Sequence, residues 1–274
     1  MEKCIFIKKW IDNMKFLQEQ LLSFLGKDEV DQCDYNNLIN QTRELQIQNN
    51  KHFLKAYLHL ISKIADNHYQ NNNFYAKIER IIKIYQDDIQ KEISNFDIFN
   101  IFKRNKRIIF FLLKEKIIIP DHSIANIISK NKYKERFYPQ YFYNEFKSFL
   151  TQDFVNPTTF ISKDFEFDRE KGQNDDYICH LIRNDIIDEF ISYSGRSLLK
   201  LTYQIKPSIF EANLFLLKHK KVTLIQYAAF YGAIQIFQYL KVNNVKLTPN
   251  LWLFFNSQSK CRIDSYFGKK WHHT

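Results

Sequence analysis

The sequence predicts an all-α fold in which an N-terminal helical domain leads into helix–turn–helix repeats, arranged as a short α-solenoid. Apolar residues recur at spacings of three and four over most of the chain, as they do on one face of a helix. The 274 residues include only 5 glycines and 5 prolines, the residues that most often interrupt helices. The segment 223–246 predicts the repeats, because it has the pattern of two short antiparallel helices joined by a tight turn.

Four helices are predicted in the first part of the N-terminal domain, which we place at residues 1–150. Their apolar faces cover residues 4–25, 35–47, 51–69 and 74–91. The acidic stretch 27–34 lacks the glycine and the terminal glutamate of a calcium-binding loop, so we interpret it as a solvated linker. His52, His59 and His68 are seven and nine residues apart, which does not favour a metal site.

A helical hairpin is also predicted at 94–118, within the N-terminal domain. Its turn aligns with the one in 223–246 when Asn105 is placed over Gly232, and Phe110 then falls on Phe237. We therefore expect a hairpin of the same size in both halves of the chain.

The second half of the chain begins after a predicted linker at 151–174, which contains a proline, a glycine and charges without periodicity. Residues 175–255 form the predicted repeat region, and 256–274 read as a polar tail. Aligning Asp185 with Gly232 places Phe190 over Phe237, at an offset of 47 residues.

The predicted repeat motif consists of Thr223, Ala228, Ala229, Gly232 and Leu240. The threonine is a suitable helix N-cap, and the two alanines allow a neighbouring helix to approach closely. The glycine supplies the left-handed conformation that commonly ends a helix.

The segment from Thr223 to Gly232 resembles the ankyrin pattern T-P-L-H-x-A-A-x-x-G. Because 94–118 aligns with this hairpin, the resemblance implies an ankyrin-like hairpin there as well. Leu224 and Gln226 stand where the pattern has proline and histidine. The resemblance implies that Gln226 keeps part of the loop hydrogen bonding that the histidine usually makes.

A wider resemblance covers most of the chain. The runs DDYICHLI, KPSIFEANLFLLKHK, TLIQYAAFYGAIQIFQYL and LTPNLWLFF are similar to a domain of unknown function that is attached to ankyrin repeats in expanded protein sets of parasitic protists. The half 50–142 looks like its usual N-terminal neighbour. The resemblance implies an all-α fold without known activity or cofactor. It also implies further repeats after Phe255, so a shortened product of a larger repeat protein is expected here.

These features predict a non-catalytic protein–protein interaction module, an ankyrin-type scaffold or adaptor whose partner is unknown. The motifs GxGxxG, GxxxxGK[ST], HExxH and GxSxG are not found, and we expect no catalytic residue, cofactor or metal ligand. The candidate partner-binding residues are Lys220, Lys221, Phe230 and Tyr231. We also expect self-association through a C-terminal repeat face left partly uncovered at Leu251, Trp252, Phe254 and Phe255.

The alternative function is that of a basic nucleic-acid-binding helical protein. The turn 103–107 has four basic residues in five, and 129–143 interleaves lysines with aromatic residues. A charged turn and a set of core aromatics are the competing interpretations. The net charge of +10 fits binding to anions, but it also fits AT-rich codon usage, because Ile, Asn, Lys, Phe and Tyr are all abundant.

The expected compartment is the cytoplasm, with the nucleus as the alternative. Four widely separated cysteines without a CxxC pair favour a reduced chain. The N-terminus has no signal-peptide architecture, and the longest uncharged apolar run, 108–113, is too short to cross a bilayer.

Overall fold

A computed structural model describes residues 2–27, 29, 31–67, 73–129, 137–149, 163–219 and 221–255. Within these ranges the chain is helical and contains no β-strand, so the all-α prediction is confirmed. The chain forms two compact units, residues 1–170 with 212–214 and residues 171–211 with 215–274. The division between Glu170 and Lys171 falls inside the segment that we predicted to be a linker.

The first unit is built from eleven short and medium helices in the residues described. They are α1 (Glu2–Gly26), α2 (Gln32–Glu44), α3 (Lys51–Asn67), α4 (Phe74–Ile84), α5 (Gln86–Glu92), α6 (Asn95–Phe102), α7 (Lys106–Lys114), α8 (His122–Ser129), α9 (Tyr138–Tyr141), α10 (Tyr143–Phe146) and α11 (Lys163–Lys171). Their apolar faces form one core, in which Leu17, Leu54 and Ile78 are fully buried. The predicted linker 27–34 overlaps α2, because Asp31 accepts a hydrogen bond from the Asp34 N–H at 2.7 Å and caps the helix.

The single helix predicted at 74–91 is wrong. The chain leaves the helical path at Tyr85, which separates α4 from α5. Tyr85 is almost fully buried, and its phenol donates a hydrogen bond to the hydroxyl of Thr42. A buried tyrosine needs such a partner, and this contact with α2 accompanies the break.

A helix, α11, also lies where the sequence predicts a linker. Arg169 of this helix is fully buried in the first unit and pairs with Glu145 at 2.8 Å and with Glu166. Its guanidinium lies 4.1 Å from the ring centre of Phe110 and also donates to the carbonyl of Tyr141 at 2.9 Å. A charged residue therefore takes one of the two buried positions of α11 and Phe165 the other, so the helix lacks the apolar periodicity that predicts helices.

The hairpin of α6 and α7 is present, but our alignment of its turn is shifted by one residue. Asn105 has an extended conformation and caps α7 by accepting from the Ile108 N–H at 3.2 Å. It therefore corresponds to Ala233, the residue before the second helix of the later hairpin, and not to Gly232.

The second unit contains two further hairpins, α12 (Tyr177–Arg183) with α13 (Ile187–Arg196) and α15 (Leu224–Tyr231) with α16 (Ile234–Val242). The short helix α14 (Leu214–Lys218) precedes α15, and a 3-10 helix spans Leu251–Phe254. The apolar run at 251–254 thus forms a single 3-10 turn. Helix α12 packs against both α13 and α15, and α15 packs against α16.

Both hairpins of the second unit close in the same way. Asp185 and Gly232 follow the first helix of each pair with φ of 51° and 69°. The next N–H then donates to a carbonyl five residues back, from Ile186 to Leu181 at 3.0 Å and from Ala233 to Ala228 at 2.9 Å. The structure thus pairs these two turns as the sequence alignment does.

Candidate functional site

The start of α15 is organised by one glutamine. The side-chain oxygen of Gln226 accepts the backbone N–H of Thr223 at 2.9 Å and its hydroxyl at 3.1 Å. This bond satisfies an N–H at the beginning of the helix that has no partner within the helix, as in a capping box.

The same side chain links α15 to the segment that follows its hairpin. The amide nitrogen of Gln226 lies 3.2 Å from the Thr248 hydroxyl and 3.2 Å from the Asn250 side-chain oxygen. Gln226 is almost fully buried, whereas Thr248 is half-buried and Asn250 is exposed. One residue therefore connects a hairpin with the next layer of the chain, through two partners that the sequence did not identify.

A second link joins the two hairpins to each other. The carboxylate of Asp185 accepts the N–H groups of Gln235 and Ile236, both at 3.0 Å. These N–H groups belong to the first turn of α16, where helices lack internal acceptors and favour negative charge. The turn of the first hairpin thus caps the second helix of the next one.

The other predicted motif residues lie in the core of the second unit. Ala228, Ala229 and Leu240 are fully buried. Gly232 has the left-handed conformation that the motif requires.

The predicted partner-binding face is wrong at Phe230. Its ring is 93% buried and stacks on Phe215, with centroids 5.6 Å apart and planes 7° apart. Tyr231 is half-buried and packs against Phe230 and Tyr227. Lys221 is exposed, and Lys220 lies outside the described residues. The aromatic pair therefore belongs mainly to the interior.

The basic turn between α6 and α7 is largely neutralised. Arg104 lies 3.5 Å from the carboxylate of Asp66, and Arg107 pairs with Glu79. Lys106 is almost fully buried. Both arginines of the turn thus lie next to carboxylates, which weakens their attraction for phosphate.

The aromatic residues of 129–143 are not an exposed stacking platform where the structure describes them. Tyr138, Tyr141 and Phe142 are fully buried in the core of the first unit, and residues 130–136 lie outside the described part. Burial raises the pKa of the Tyr141 phenol, although the nearby Arg107 and Arg169 oppose this shift. These rings support the interpretation as core aromatics.

The thiol of Cys179 lies in a buried cluster of polar side chains between α12 and α15. Burial raises the pKa of this thiol far above its usual range, which leaves it uncharged and poorly nucleophilic. Nearby, Arg183 donates to the Tyr227 hydroxyl and to the Asn174 carbonyl, both at 2.8 Å. These bonds compensate the burial of the guanidinium, which indicates a structural role for the group.

The described ranges contain neither a cluster suited to a metal ion nor a helix suited to span a membrane. No cluster of three histidine, cysteine, aspartate or glutamate side chains there is arranged to hold a metal ion. The helices in those ranges also include none with the length and apolar character needed to cross a bilayer. Cys261, His272 and His273 lie outside the described residues.

The end of the repeat region is covered more completely than we predicted. Leu251 and Phe254 are buried, and the Phe254 ring contacts Phe215 at 5.0 Å. Trp252 remains 68% exposed and Leu253 42% exposed. The uncovered apolar surface therefore centres on Trp252.

Several lysines of the second unit are exposed, among them Lys206, Lys218, Lys221 and Lys246. Of these four, the sequence analysis predicted only Lys221 as a partner-binding residue.

Comparison of the chain with protein-family models, with curated proteins and with solved structures finds no match.

Proposed function

We propose that the chain is a non-catalytic protein–protein interaction module of the ankyrin type, acting as a scaffold or adaptor. The observation that carries this proposal is the position of Gln226, which bonds both to the start of its own helix and to the segment after its hairpin. The histidine of the ankyrin pattern occupies this place in the motif, and joining neighbouring layers is what a stacked repeat requires.

Two further features support the proposal. Successive hairpins share the same left-handed closure, and Asp185 of the first caps α16 of the second. Layers linked in this way present their connecting segments as a continuous edge, and repeat stacks bind partners through such extended surfaces. The connecting segments of the second unit are rich in exposed polar residues.

Affinity capture tests this function. The intact chain is immobilised, incubated at low salt with lysate of its own cells, and washed with and without nuclease. Proteins retained after nuclease treatment are the expected result. Recovery of nucleic acid, with loss of all bound protein after nuclease treatment, contradicts the proposal, and so does a lysate from which nothing is retained.

We propose the cytoplasm as the working compartment. Cys33 is an exposed free thiol and Cys179 a buried one, which suits a reducing environment. Imaging of the intact chain fused to a fluorescent protein tests this point, and an exclusively nuclear or secreted signal contradicts it.

A further inference from the structure

A pocket with a volume of about 170 Å³ lies between α1 and α2 of the first unit. Pockets that hold drug-sized ligands begin at about 300 Å³, so this one suits a smaller molecule. Eight side chains line the pocket, and six of them carry hydrogen-bonding groups. The lining residues are Gln20, Ser23, Phe24, Lys27, Asp34, Asn37, Leu38 and Gln41.

The lining residues follow one face of each helix. On either side the four positions are spaced by three, one and three residues, which aligns them along the helix axis. Two packed helices usually face each other with apolar side chains at such positions. In this pair only Phe24 and Leu38 are apolar, and both are buried. The face that α1 and α2 share at these positions is therefore mainly polar.

An ion pair stands at the end of the pocket next to the connection between the helices. Nζ of Lys27 lies 2.5 Å from Oδ1 of Asp34, and both side chains are partly exposed. The pair has no net charge, so it favours a ligand that carries one positive and one negative group. Each partner can exchange its present counterion for a group of the ligand, because an exposed ion pair contributes little to stability.

Glutamine side chains stand at the opposite end of the pocket. Gln20 and Gln41 are seven residues from Lys27 and Asp34, respectively, which is about 10 Å along a helix axis. The side-chain oxygen of Gln41 is buried and has no hydrogen-bond partner in the described chain. Most buried polar atoms have a partner, and a missing one is unfavourable. This oxygen is therefore suited to accept a hydrogen bond from a ligand.

We propose that the pocket binds a free α-amino acid whose side chain ends in a hydrogen-bond donor, with glutamine as the example. The carboxylate of such a ligand pairs with Lys27, and its ammonium group pairs with Asp34. The side-chain amide donates to Gln41, and the carbon atoms between the two ends lie against Phe24 and Leu38. The inference concerns the first unit and goes beyond the interaction function proposed for the chain.

Other ligand classes fit these groups less well. Calcium takes about six to eight oxygen ligands, often from several carboxylates. The pocket has a single carboxylate, which already contacts a lysine. A phosphate ester would be attracted by Lys27 but repelled by Asp34 at the same end. A small molecule with both charges avoids these conflicts.

Isothermal titration calorimetry of the intact chain with L-glutamine tests the inference. We expect saturable binding of one molecule per chain. N-acetyl-L-glutamine lacks the ammonium group and L-glutaminamide lacks the carboxylate, and each should bind at least about fivefold more weakly because one charged contact is lost. L-leucine keeps both charges but has no side-chain donor, so it should also bind more weakly than L-glutamine.

Removal of one charge locates the site. Asp34→Asn should weaken L-glutamine binding about tenfold, because the ammonium group loses its counterion. Lys27→Gln, which removes the other charge, should weaken it similarly. The control is Glu115→Gln, which changes an ion pair outside the pocket. Lys83 lies 2.6 Å from Glu115, and the carboxylate side chain is 28% exposed in both pairs. The control variant should bind within about twofold of the wild type.

Substitution of the buried amide tests the specificity. Gln41→Leu should remove the preference for L-glutamine over L-leucine, because it removes the acceptor. Gln48→Leu is the control, since the side-chain oxygen of Gln48 is likewise buried without a partner in the described residues but lies outside the pocket lining. That variant should keep the preference. Circular dichroism confirms that all variants are folded.

Four outcomes overturn the inference. They are absence of L-glutamine binding, equal affinities for L-glutamine and its two blocked analogues, equal effects of Asp34→Asn and Glu115→Gln, and a preference for L-glutamine that persists in Gln41→Leu. None of these results bears on the capture of cellular proteins, so the inference and the interaction function fail separately.

Discussion

The carboxylate of Asp185 accepts the backbone N–H of Ile236 at 3.0 Å, across a sequence separation of 51 residues. A second bond to the Gln235 N–H completes the cap. We expect Asp185→Ala to lower the stability of the second unit by about 1–2 kcal/mol, the usual effect of losing a helix cap. Urea unfolding measures the change, and hydrogen exchange should accelerate at the Gln235 and Ile236 amides. Asp188→Ala, at an exposed position nearby, is the control, and an equal loss there would argue against a specific cap.

A leucine with positive φ offers a way to stabilise the protein. Leu198 has φ of 50° and is 88% exposed, so its side chain gains little packing in return for the strain. We expect Leu198→Gly to raise the free energy of unfolding by about 1 kcal/mol. Val242→Gly is the matched control, because Val242 is also largely exposed but lies in α16. This control should lose stability, and thermal unfolding that shows loss in both variants would disprove the conformational argument.

Gln226 provides a test of the ankyrin proposal that does not need a partner. We expect Gln226→Ala to destabilise the second unit by about 1–2 kcal/mol, because the Thr223 N–H and the half-buried Thr248 hydroxyl each lose a hydrogen-bond partner. Gln226→His should recover part of this stability if the position has the role of the ankyrin histidine. Gln238→Ala changes an exposed glutamine of α16 and should have little effect. A histidine variant no more stable than the alanine variant would weaken the ankyrin interpretation.

The acid sensitivity of the first unit should depend on Asp121. Partial burial raises the pKa of this carboxylate, but hydrogen bonds from Ser123, Ile124 and Asn95 outweigh burial, and the net pKa lies below its usual value. A folded-state pKa below the unfolded one adds stability that is present above about pH 4 and is lost as the pH falls through the folded-state value. Asp121→Ala should therefore be less stable at neutral pH, and the difference should shrink in acid. Chemical unfolding across this pH range measures it, and a difference that is constant with pH would contradict the linkage.

The helices of the chain were largely predictable because their cores are apolar at regular spacing. Leu54 and Ile61 on α3 and Ile78 and Ile82 on α4 are buried as the pattern indicates. The failures occur where a polar or charged group makes the decisive contact. Tyr85 breaks a predicted helix while bonding to Thr42, and these two residues are 43 positions apart.

The site was less predictable because its geometry depends on pairs distant in sequence. Phe230 has an aromatic side chain that the sequence alone allows on either side of α15. It is buried because Phe215 stacks on it. The bridge between Gln204 and Thr223 is likewise a pairing that no local pattern encodes. The turn at Asp185 was found, since a residue that tolerates positive φ stands where glycine stands in the next hairpin.

Because α16 is capped by a residue of the preceding hairpin, the length of segment that can be transferred to another protein is affected. The hairpin 224–242 takes one anchor from Asp185, which precedes it, and another from Thr248 and Asn250, which follow it. A graft cut at the helix ends would lose both anchors and leave the N–H groups of Gln235 and Ile236 without their acceptor. The shortest block that brings its own caps to a new host runs from Asp185 to Asn250, so the exchangeable module of this chain is longer than the hairpin that defines its motif.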